Sequence, residues 1–483
     1  MSYRAVEMDR ETLLALDKPA LVDLVLHQQR MITELNERLA EQAAQLAEQQ
    51  ARLSDLEAHL AELAAPPKTP GNSSVPPSQA RKPNRAERRG KKRGAKRGHV
   101  GASRSRAEPD ATITCRPKTC RGCAAQLPPA GQRVIGRSQL EELPVIRTVV
   151  IEAVRYQAEC ANCHQRTTAE PPPWFAPHAT FGPRVEALLA YLHETHHVSY
   201  ERLVELCRDV LGLRLSEGAI ANALARVATQ AGPTVEQIRE EVRASDVINS
   251  DETGARVDGD NRYHWVFQTP TASYHLIAET KGAAVIAELL GDRRPAVWGS
   301  DAAPAQLGAG AARHQLCLAH QLRDLTYATE ADATPGKTWA RQLRHVFGRA
   351  LRLHRERGVL LAAQFAQRRT RVIKAAERLV FGPPLGTGEA WLLQKRYRKH
   401  WATLFVFLER KGVEPTNNSS ERDLRPAVLH RKMTGGYRSD AGAVRGGIFA
   451  TVLTTARKTG QNRFATLCDI TGPSPLTTAY QAI

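Results

Sequence analysis

Aromatic residues, long apolar runs and a cysteine framework are all scarce in this sequence. Phe, Trp and Tyr make up 5% of the 483 residues, and eight cysteines are too few for a disulfide scaffold. No apolar run reaches the ~18 residues that a membrane-spanning helix needs. The first residues lack the basic cluster and apolar core of a secretory signal. The sequence therefore predicts a cytoplasmic protein without a membrane partner.

Positive charge, by contrast, is abundant. The chain has 68 Lys and Arg against 50 Asp and Glu, which gives a formal net charge of +18. Such an excess favours a polyanionic partner, and nucleic acid is the first candidate. On charge alone, a basic protein without a nucleic-acid function remains the alternative.

The N-terminal region carries a heptad repeat. Apolar residues recur every seven positions at Ile32, Leu39, Leu46, Leu53 and Leu60. This period predicts a helical coiled-coil region over residues 1–66 and a homodimer or larger assembly. The alternative is a single amphipathic helix that packs on its own domain.

Residues 67–110 are typical of a disordered Pro/Ser and basic linker. Pro, Gly and Ser dominate its start, and residues 81–106 then hold twelve Lys or Arg and one acid, Glu87. No apolar face accompanies this charge, so we expect the segment to bind phosphates without reading sequence. The DNA contacts expected within it are Arg88, Arg89, Lys91, Lys92 and Arg93.

Two C-x-x-C pairs indicate a zinc-binding module over residues 111–176. The four expected ligands are Cys120, Cys123, Cys160 and Cys163. Two such pairs can supply four thiolates to one Zn²⁺, and the alternating residues before the second pair predict a strand, as in a zinc ribbon. A redox pair is the alternative function, and Cys115 is the alternative ligand.

The rest of the chain divides into four regions that differ in their expected secondary structure. Residues 177–240 are typical of three helices, compatible with a helix-turn-helix-like domain and with any small helical bundle. Residues 241–330 mix short strands with helices, residues 331–411 are mostly helical and rich in Arg, and residues 412–483 follow with a helix that starts at an Asn and Ser cluster. This order predicts an α/β core with a helical insertion and a C-terminal part that completes it.

Asp251 and Asp301 both lie where a short predicted strand ends. Adjacent strands would bring these ends together, and two close carboxylates repel each other unless a cation neutralises them. Mg²⁺ (or Mn²⁺) binds carboxylate oxygens, and two such ions can clamp the attacking and leaving oxygens of a phosphodiester. Taken singly, each Asp fits a turn cap better than a metal ligand, and it is their joint placement that favours the metal site. Glu252 follows Asp251 on the strand and should point away.

Several motifs together resemble the transposases of the IS66 group of bacterial insertion sequences. They are "GNSSVPPS", the paired C-x-x-C module, "SDETGARVDGDNRYHWVF", "GSDAAPAQ", "HQLCLAHQLRDL" and "NNSSERDLRPAVLHRKMTGGYRSDAGA". The resemblance covers nearly the whole chain. It implies a multidomain α/β protein with an RNase H-like catalytic core, and DDE-type chemistry that cuts and joins transposon ends.

The resemblance also implies roles for residues and partners. It maps an acidic triad that holds Mg²⁺ or Mn²⁺ to Asp251, Asp301 and Glu421. It implies double-stranded DNA, as transposon ends and as target, together with small accessory transposition proteins and a location at the bacterial nucleoid. The bases near Glu421 that would suit DNA phosphates are Arg422, Arg425, Arg431 and Lys432.

Two other functions stay open at this point. One is a non-catalytic DNA-binding regulator with a zipper and a zinc module, and the other is an RNase H-like nuclease without strand transfer. Asp423 and Glu414 are rivals of Glu421 for the third acid. His264, His314 and His320 are expected to be buried structural histidines, and contact with DNA or with the acids is the alternative for each.

Overall fold

The computed structural model describes residues 17–64, 66–73, 99–101, 105–146, 148–171 and 180–474, together with residues 13, 15 and 175. The expected DNA contacts at Arg88, Arg89, Lys91, Lys92 and Arg93 lie outside the described residues. No helix in the described part of the chain is both long enough and apolar enough to span a membrane.

The described residues form a mixed α/β structure. Its helices are α1 Lys18–Ala64, α2 Pro183–Ala190, α3 Tyr200–Leu211, α4 Glu217–Ala244, α5 Ala283–Leu290, α6 Pro304–Leu307, α7 Leu318–Ala331, α8 Gly336–Arg355, α9 Ala362–Val380, α10 Gly388–Lys399, α11 Val406–Glu409, α12 Asn418–Thr434, α13 Asp440–Lys458 and α14 Arg463–Thr471. Its strands are β1 Gln157–Glu159, β2 Arg166–Thr168, β3 Val247–Val257, β4 Asp260–Gln268, β5 Ser273–Ala278, β6 Val297–Ser300 and β7 Arg313–Leu316. A π-helical turn, Tyr191–Thr195, follows α2, and a 3₁₀ turn, Trp401–Thr403, precedes α11.

Helix α1 runs for 47 residues through the heptad region, so the helix itself forms as predicted. The seam residues Ile32, Leu39, Leu46 and Leu53 are 57%, 61%, 58% and 59% exposed. Apolar side chains this exposed at heptad spacing lack a core of their own within the described chain. Self-association through this seam stays a prediction.

Residues 66–73, which were expected to begin the disordered linker, are docked on α7 and α10. Asn72 is 6% exposed, and its Nδ2 donates to Oε2 of Glu330 at 2.6 Å. The Lys68 ammonium lies 4.7 Å from the centre of the Tyr327 ring and 3.5 Å from Glu389. These contacts hold the segment in one conformation, so a flexible linker cannot begin at residue 67 as predicted.

The helical region after the cysteine pairs contains the three predicted helices α2, α3 and α4. The Ser216 side chain caps α4 by accepting from the Ala219 backbone N–H at 3.2 Å. Gly212 ends α3 in the left-handed conformation, at φ 63°, which its missing Cβ permits. The apolar faces of these helices form one buried cluster that also takes in Phe449 of α13 and Leu467 of α14. The C-terminal helices therefore join the helical region to the sheet.

The central sheet has five strands in the order β5-β4-β3-β6-β7. Strands β3, β4 and β5 pair antiparallel, whereas β6 and β7 run parallel to β3. The β3–β4 connection is the two-residue turn Asp258-Gly259, with φ of 49° and 85°, as suits a tight hairpin. The expectation that the first strand ends at Asp251 was wrong, since β3 continues to Val257 and pairs with β4 from Asn249 to Val257.

The Arg-rich region between α7 and α12 is helical, as expected. Leu343 and Phe347 of α8 and Tyr397 of α10 share one buried cluster with Val297 of β6 and Leu316 of β7. The insertion therefore packs on the parallel half of the sheet as part of the same rigid core.

We predict that α1 makes the protein self-associate. Replacing Leu39 and Leu46 by Asp would place charge at two adjacent a positions and disrupt a coiled-coil seam. Sedimentation velocity of the full-length chain should show a smaller species for this double variant than for the wild type. Glu41→Gln, an exposed change off the seam, is the control. If the wild type already sediments as a monomer at tens of micromolar, the coiled coil is excluded.

Candidate active site

Asp251 and Asp301 lie side by side on neighbouring parallel strands. Strand β3 pairs with β6 up to Asn249, which lies opposite Gly299. Continuing this register by two residues sets Asp251 opposite Asp301, just beyond the last paired position. Residues opposite each other in a parallel pair point to the same face, so both carboxylates emerge on one side of the sheet. The strands that carry the two aspartates are neighbours, as the sequence predicted, although Asp251 lies within its strand rather than at its end.

A buried hydrogen-bond cluster fixes the start of α12 against this edge. The Asn417 Nδ2 donates to the backbone carbonyl of Ser250 at 2.7 Å, and the Asn417 N–H donates to the Cys317 sulfur at 3.1 Å. The Ser420 hydroxyl donates to Asn417 Oδ1 at 2.6 Å, while the Gln268 amide donates to the Ser419 hydroxyl at 2.6 Å. The Asn and Ser residues before Glu421 therefore anchor the helix to β3, β4 and the start of α7.

Glu421 lies in the first turn of α12, as predicted from the Asn and Ser cluster. Its Oε1 lies 3.6 Å from His320 Nε2 and 3.5 Å from the Arg323 guanidinium. Both partners come from the first turns of α7. His320 was among the histidines that could contact the acids, whereas the sequence offered no signal for Arg323, because only the packed fold brings it to Glu421.

The environment of Asp251 disfavours its negative charge. Burial raises the pKa of the Asp251 carboxyl well above its ordinary value, and Asp301, Glu252 and Glu421 raise it further. One backbone N–H, that of Glu252, donates to its Oδ1 at 2.9 Å and works in the opposite direction. The Asp251 carboxyl is therefore close enough to Asp301 and Glu421 for their charges to raise its pKa, although the three acids come from three different parts of the fold.

Asp251 and Asp301 form no ion pair with a basic side chain of the described residues. Asp301 Oδ1 accepts the Ala303 N–H at 3.0 Å. Within the described residues, no Lys, Arg or His nitrogen lies within 4.0 Å of either carboxylate. Nor do the described His, Cys, Asp and Glu side chains form a preformed group of three or more around a metal position. The acids thus form an open, negatively charged edge rather than a closed cage.

The two rival acids lie in settings that suit other roles. Asp423 is 4% exposed and pairs with Arg457 at 2.8 Å and Lys458 at 2.9 Å, and it also accepts from the Ser273 hydroxyl at 2.9 Å. Glu414 is largely exposed, 3.8 Å from His354. Asp423 is therefore a buried structural anion, and Glu414 is a surface residue.

Glu252 points to the opposite face from Asp251, as alternation along the strand predicted. Its Oε2 accepts from the Gln306 amide at 2.8 Å. Gln306 is fully buried, and its carbonyl oxygen accepts from the Ser250 hydroxyl and from the Trp298 indole at 3.0 Å. This network ties β3 to β6 from behind and keeps the two strand edges aligned.

Two of the three singled-out histidines are structural, as expected. His264 is 2% exposed and lies 3.1 Å from the ring nitrogen of His275. His314 Nε2 lies 3.2 Å from the Ser300 hydroxyl, and burial lowers the pKa of His314 to about 4. His320 differs, because it contacts Glu421 directly and belongs to the site.

Basic residues flank the acids along α12. Arg422, Arg425 and Lys432 are exposed. The Arg431 guanidinium donates to the carbonyl of Gly254 on β3. A Cβ at position 254 would lie 2.8 Å from that guanidinium, so the Arg431 side chain would have to shift to admit one. Three of the four predicted phosphate contacts are thus available to a ligand, and Arg431 braces α12 on the sheet.

The two C-x-x-C pairs form matching turns. Ala124 and His164, each directly after the second cysteine of a pair, donate their N–H groups to the carbonyls of Cys120 and Cys160 at 2.9 Å. Both residues have positive φ, 56° and 57°. The Cys123 and Cys163 backbone N–H groups are the largest cause that lowers the pKa of Cys120 and Cys160.

Matching turns of this kind aim both sulfurs of a pair in one direction and favour thiolates. The described residues do not bring the two pairs together around one point. The strand expected before Cys160 is also shorter than predicted, since β1 covers Gln157–Glu159 alone before pairing with β2.

The family model described as Transposase IS66 family matches residues 178–445, which is more than half of the chain. The matched range includes Asp251, Asp301 and Glu421. No curated protein matches the chain.

The electrostatics of the acids predict opposite effects of two Asp→Asn changes on stability. Without divalent ions, Asp251→Asn should raise the melting temperature at neutral pH. The reason is that the pKa of Asp251 is raised, so its charged form costs stability at any pH above the ordinary Asp pKa. Asp423→Asn should cost about 3 kcal/mol, because it breaks a buried pair with Arg457 and Lys458. Thermal denaturation in EDTA measures both effects. A lower melting temperature for Asp251→Asn would contradict the inference that the charged Asp251 carboxylate destabilises the fold.

Proposed function

The chain belongs to the IS66 family of transposases, and from that membership we propose that it cleaves DNA at insertion-sequence ends and joins them to a target by DDE-type chemistry. A transposase is a DNA-processing enzyme, which is the function that the family itself supplies. One observation carries the finer proposal. Asp251 from β3, Asp301 from beyond β6 and Glu421 from α12 converge on one side of one sheet edge.

The strand order supports an RNase H-like core. Three antiparallel strands are followed by two strands that pair in parallel beside the first. This places the first and fourth strands of the sheet, β3 and β6, next to each other at its centre, so the acids of both meet there. The third acid comes from a helix packed on the same edge, as an enzyme with three separated acids requires.

The donor set fits a divalent cation of the Mg²⁺ class. Two adjacent carboxylates without a cationic partner, one of them with a raised pKa, favour a ligand that brings positive charge. Mg²⁺ commonly binds one or two carboxylates and takes its other ligands from water and substrate phosphates, so an open edge suits it better than a closed cage. Asp251 and Asp301 would hold Mg²⁺ or Mn²⁺, with Glu421 as the third ligand. When bound, the ion would supply Lewis acidity at the scissile phosphodiester.

The remaining side chains of the site have roles that their contacts suggest. His320 and Arg323 hold Glu421 near the strand edge. The exposed Arg422, Arg425 and Lys432 lie on the helix that carries Glu421, where they would contact phosphates on either side of the scissile bond. Asn417 and Arg431 position α12 and would not touch DNA.

The cysteine pairs fit zinc by the chemistry of their donors. Both turns present two sulfurs, and backbone N–H groups favour the thiolate of the first cysteine in each pair. Four thiolates form a standard structural zinc site. We therefore retain Cys120, Cys123, Cys160 and Cys163 as ligands of one Zn²⁺, which would draw the two turns together. Exposed α1 seams would join the chain to a second copy, and accessory proteins and nucleoid association remain part of the proposal.

The decisive test is a cleavage and strand-transfer assay with a labelled element end in the presence of Mg²⁺. Asp251→Asn, Asp301→Asn and Glu421→Gln should each lower the cleavage rate about 100-fold or more, since each removes a charge that holds the metal. Glu414→Gln, an exposed acid of the same region, is the matched control and should retain activity. DNA binding by the three variants should be preserved.

The same assay separates the alternatives. Cleavage without joining would identify a nuclease, whereas tight binding with no metal-dependent cleavage would identify a regulator. Near-normal cleavage by Glu421→Gln would remove that residue from the triad. Mg²⁺ at ten times its dissociation constant should stabilise the wild type by about 1.4 kcal/mol, which appears as an increase in melting temperature. This increase should vanish in Asp301→Asn.

Zinc content gives an independent prediction. Protein purified without chelator should contain one zinc per chain, and Cys120→Ser with Cys160→Ser should lose it because each pair loses a ligand. Elemental analysis measures the content, and Cys207→Ser, a buried cysteine of the helical core, is the control. Full zinc in Cys120→Ser alone would instead favour Cys115 as the ligand.

A further inference from the structure

Helix α8 carries a continuous basic face that neither the catalytic edge nor the cysteine pairs use. The sequence of Gly336–Arg355 contains no Asp or Glu. Five exposed bases lie on it at Lys337, Arg341, Arg344, Arg352 and Arg355. At 100° per residue these five positions fall within about 80° of the helix circumference. We call them the α8 basic face.

The opposite side of α8 is sealed in the core. Trp339, Leu343, Phe347 and Ala350 are buried in the cluster that reaches the parallel strands of the sheet. The basic face can therefore neither rotate inward nor move independently of the sheet. Its orientation is fixed by packing and not by its charges.

The described residues do not balance the charges of the α8 basic face with ion pairs. Within the described residues, no carboxylate lies within 4.0 Å of any of the five bases. Elsewhere the chain pairs such bases along the helix, as in Arg38 with Glu34 at 3.1 Å on α1 and Arg239 with Glu236 at 2.9 Å on α4. Like charges one turn apart destabilise a helix, so a row of five unpaired bases needs a counter-charge from elsewhere.

The length of the row matches a nucleic-acid backbone. Lys337 and Arg355 are 18 residues apart, which is about 27 Å along the helix. That distance corresponds to about eight base pairs of duplex DNA, with one phosphate per ~3.4 Å on each strand. Gly348 falls on the same face between Arg344 and Arg352, and the Arg352 guanidinium lies 4.0 Å from the position that a Cβ would take there.

We propose that the α8 basic face binds the phosphate backbone of duplex DNA and holds it in a fixed position relative to the acids. The proposal rests on the proposed function and deepens it by adding a DNA-binding surface outside α12. The geometric link is α7, which packs along α8 through Leu325 and whose first turns bring His320 and Arg323 to Glu421. DNA on the α8 face is thereby fixed on the same rigid body as the acidic edge.

The test is a pair of triple variants of the full-length chain. One replaces Arg341, Arg344 and Arg352 by Gln, and the control replaces the exposed Arg293, Arg294 and Lys411 by Gln. Both remove three positive charges, and Gln preserves helix propensity at the α8 positions. Circular dichroism confirms that both remain folded. Fluorescence anisotropy with a labelled mixed-sequence duplex of about 30 base pairs then measures affinity at several salt concentrations.

The α8 variant should bind about 100-fold more weakly at ~0.15 M salt, and its salt slope should fall by about 2.7, because each lost phosphate contact removes about 0.9. The control should keep the wild-type slope. Contacts made by residues 81–106 add equally to all three proteins and leave the difference intact. Equal weakening of both variants would overturn the proposal, because the α8 face would then act only through net charge. Unchanged binding by both variants would also overturn it, because the α8 face would then not contact DNA.

The cleavage assay keeps this outcome separate from that of the proposed function. The α8 variant should need more DNA to reach half-maximal cleavage while its rate at saturation stays near that of the wild type. A wild-type chain that cleaves DNA, together with an α8 variant of normal affinity and slope, refutes the α8 face alone. A wild-type chain that binds through α8 but never cleaves refutes the proposed chemistry alone.

Discussion

The site depends on one buried hydrogen bond, from the Asn417 side chain to the backbone carbonyl of Ser250. Ser250 directly precedes Asp251, and Asn417 directly precedes the helix that carries Glu421. Both residues are buried, so a lost partner would leave a carbonyl unsatisfied in the interior, which costs about 1–3 kcal/mol. This bond therefore fixes the distance between a strand and a helix that nothing in the sequence places together. The second acid follows from the sheet, because the β3–β6 register sets Asp301 opposite Asp251.

Around that bond, the protein treats its acids in two different ways. Asp423, two residues after Glu421, is buried and neutralised by Arg457 and Lys458, and it helps to hold α12 and α13 on β5. Asp251 and Asp301 lie at the same sheet but lack such a partner within the described residues. Negative charges held close together disfavour their own ionisation unless a cation joins them. The contrast distinguishes an acid that stabilises the fold from acids that await a ligand.

Local patterns predicted much of this fold. The short apolar strand before Asp301, the mixture of strands and helices over residues 241–330 and the helix start that carries Glu421 all form as expected. These features follow from local turn residues, capping and apolar runs. The length of β3 did not follow from local patterns. Gly254 and the polar residues around it have weak strand propensity, and pairing with β4 holds them extended.

Contacts between distant parts of the chain could not be predicted from local sequence patterns. The docking of Asn72 on Glu330 and the approach of His320 to Glu421 arise only when α7 is packed in place. The composition of the Pro- and Ser-rich segment predicts a linker, yet its Asn72 and Ser73 side chains are buried. Composition reflects the properties of a segment in isolation, and it cannot predict a hydrogen bond to Glu330, 258 residues away.

The distribution of charge links the acidic edge to the basic surfaces. Where the fold needs an ion pair, the chain supplies both partners, as in Arg226 with Glu186, or Arg396 with Asp324 at 2.7 Å. Asp251 and Asp301, and the α8 basic face, have no partner of opposite charge within 4.0 Å among the described residues. DNA with its divalent cations carries both missing signs, since the cations suit the acids and the phosphates suit the bases. Binding would therefore relieve repulsion at both places at once, and the charges that the fold leaves unbalanced are the ones that a transposase would present to its substrate.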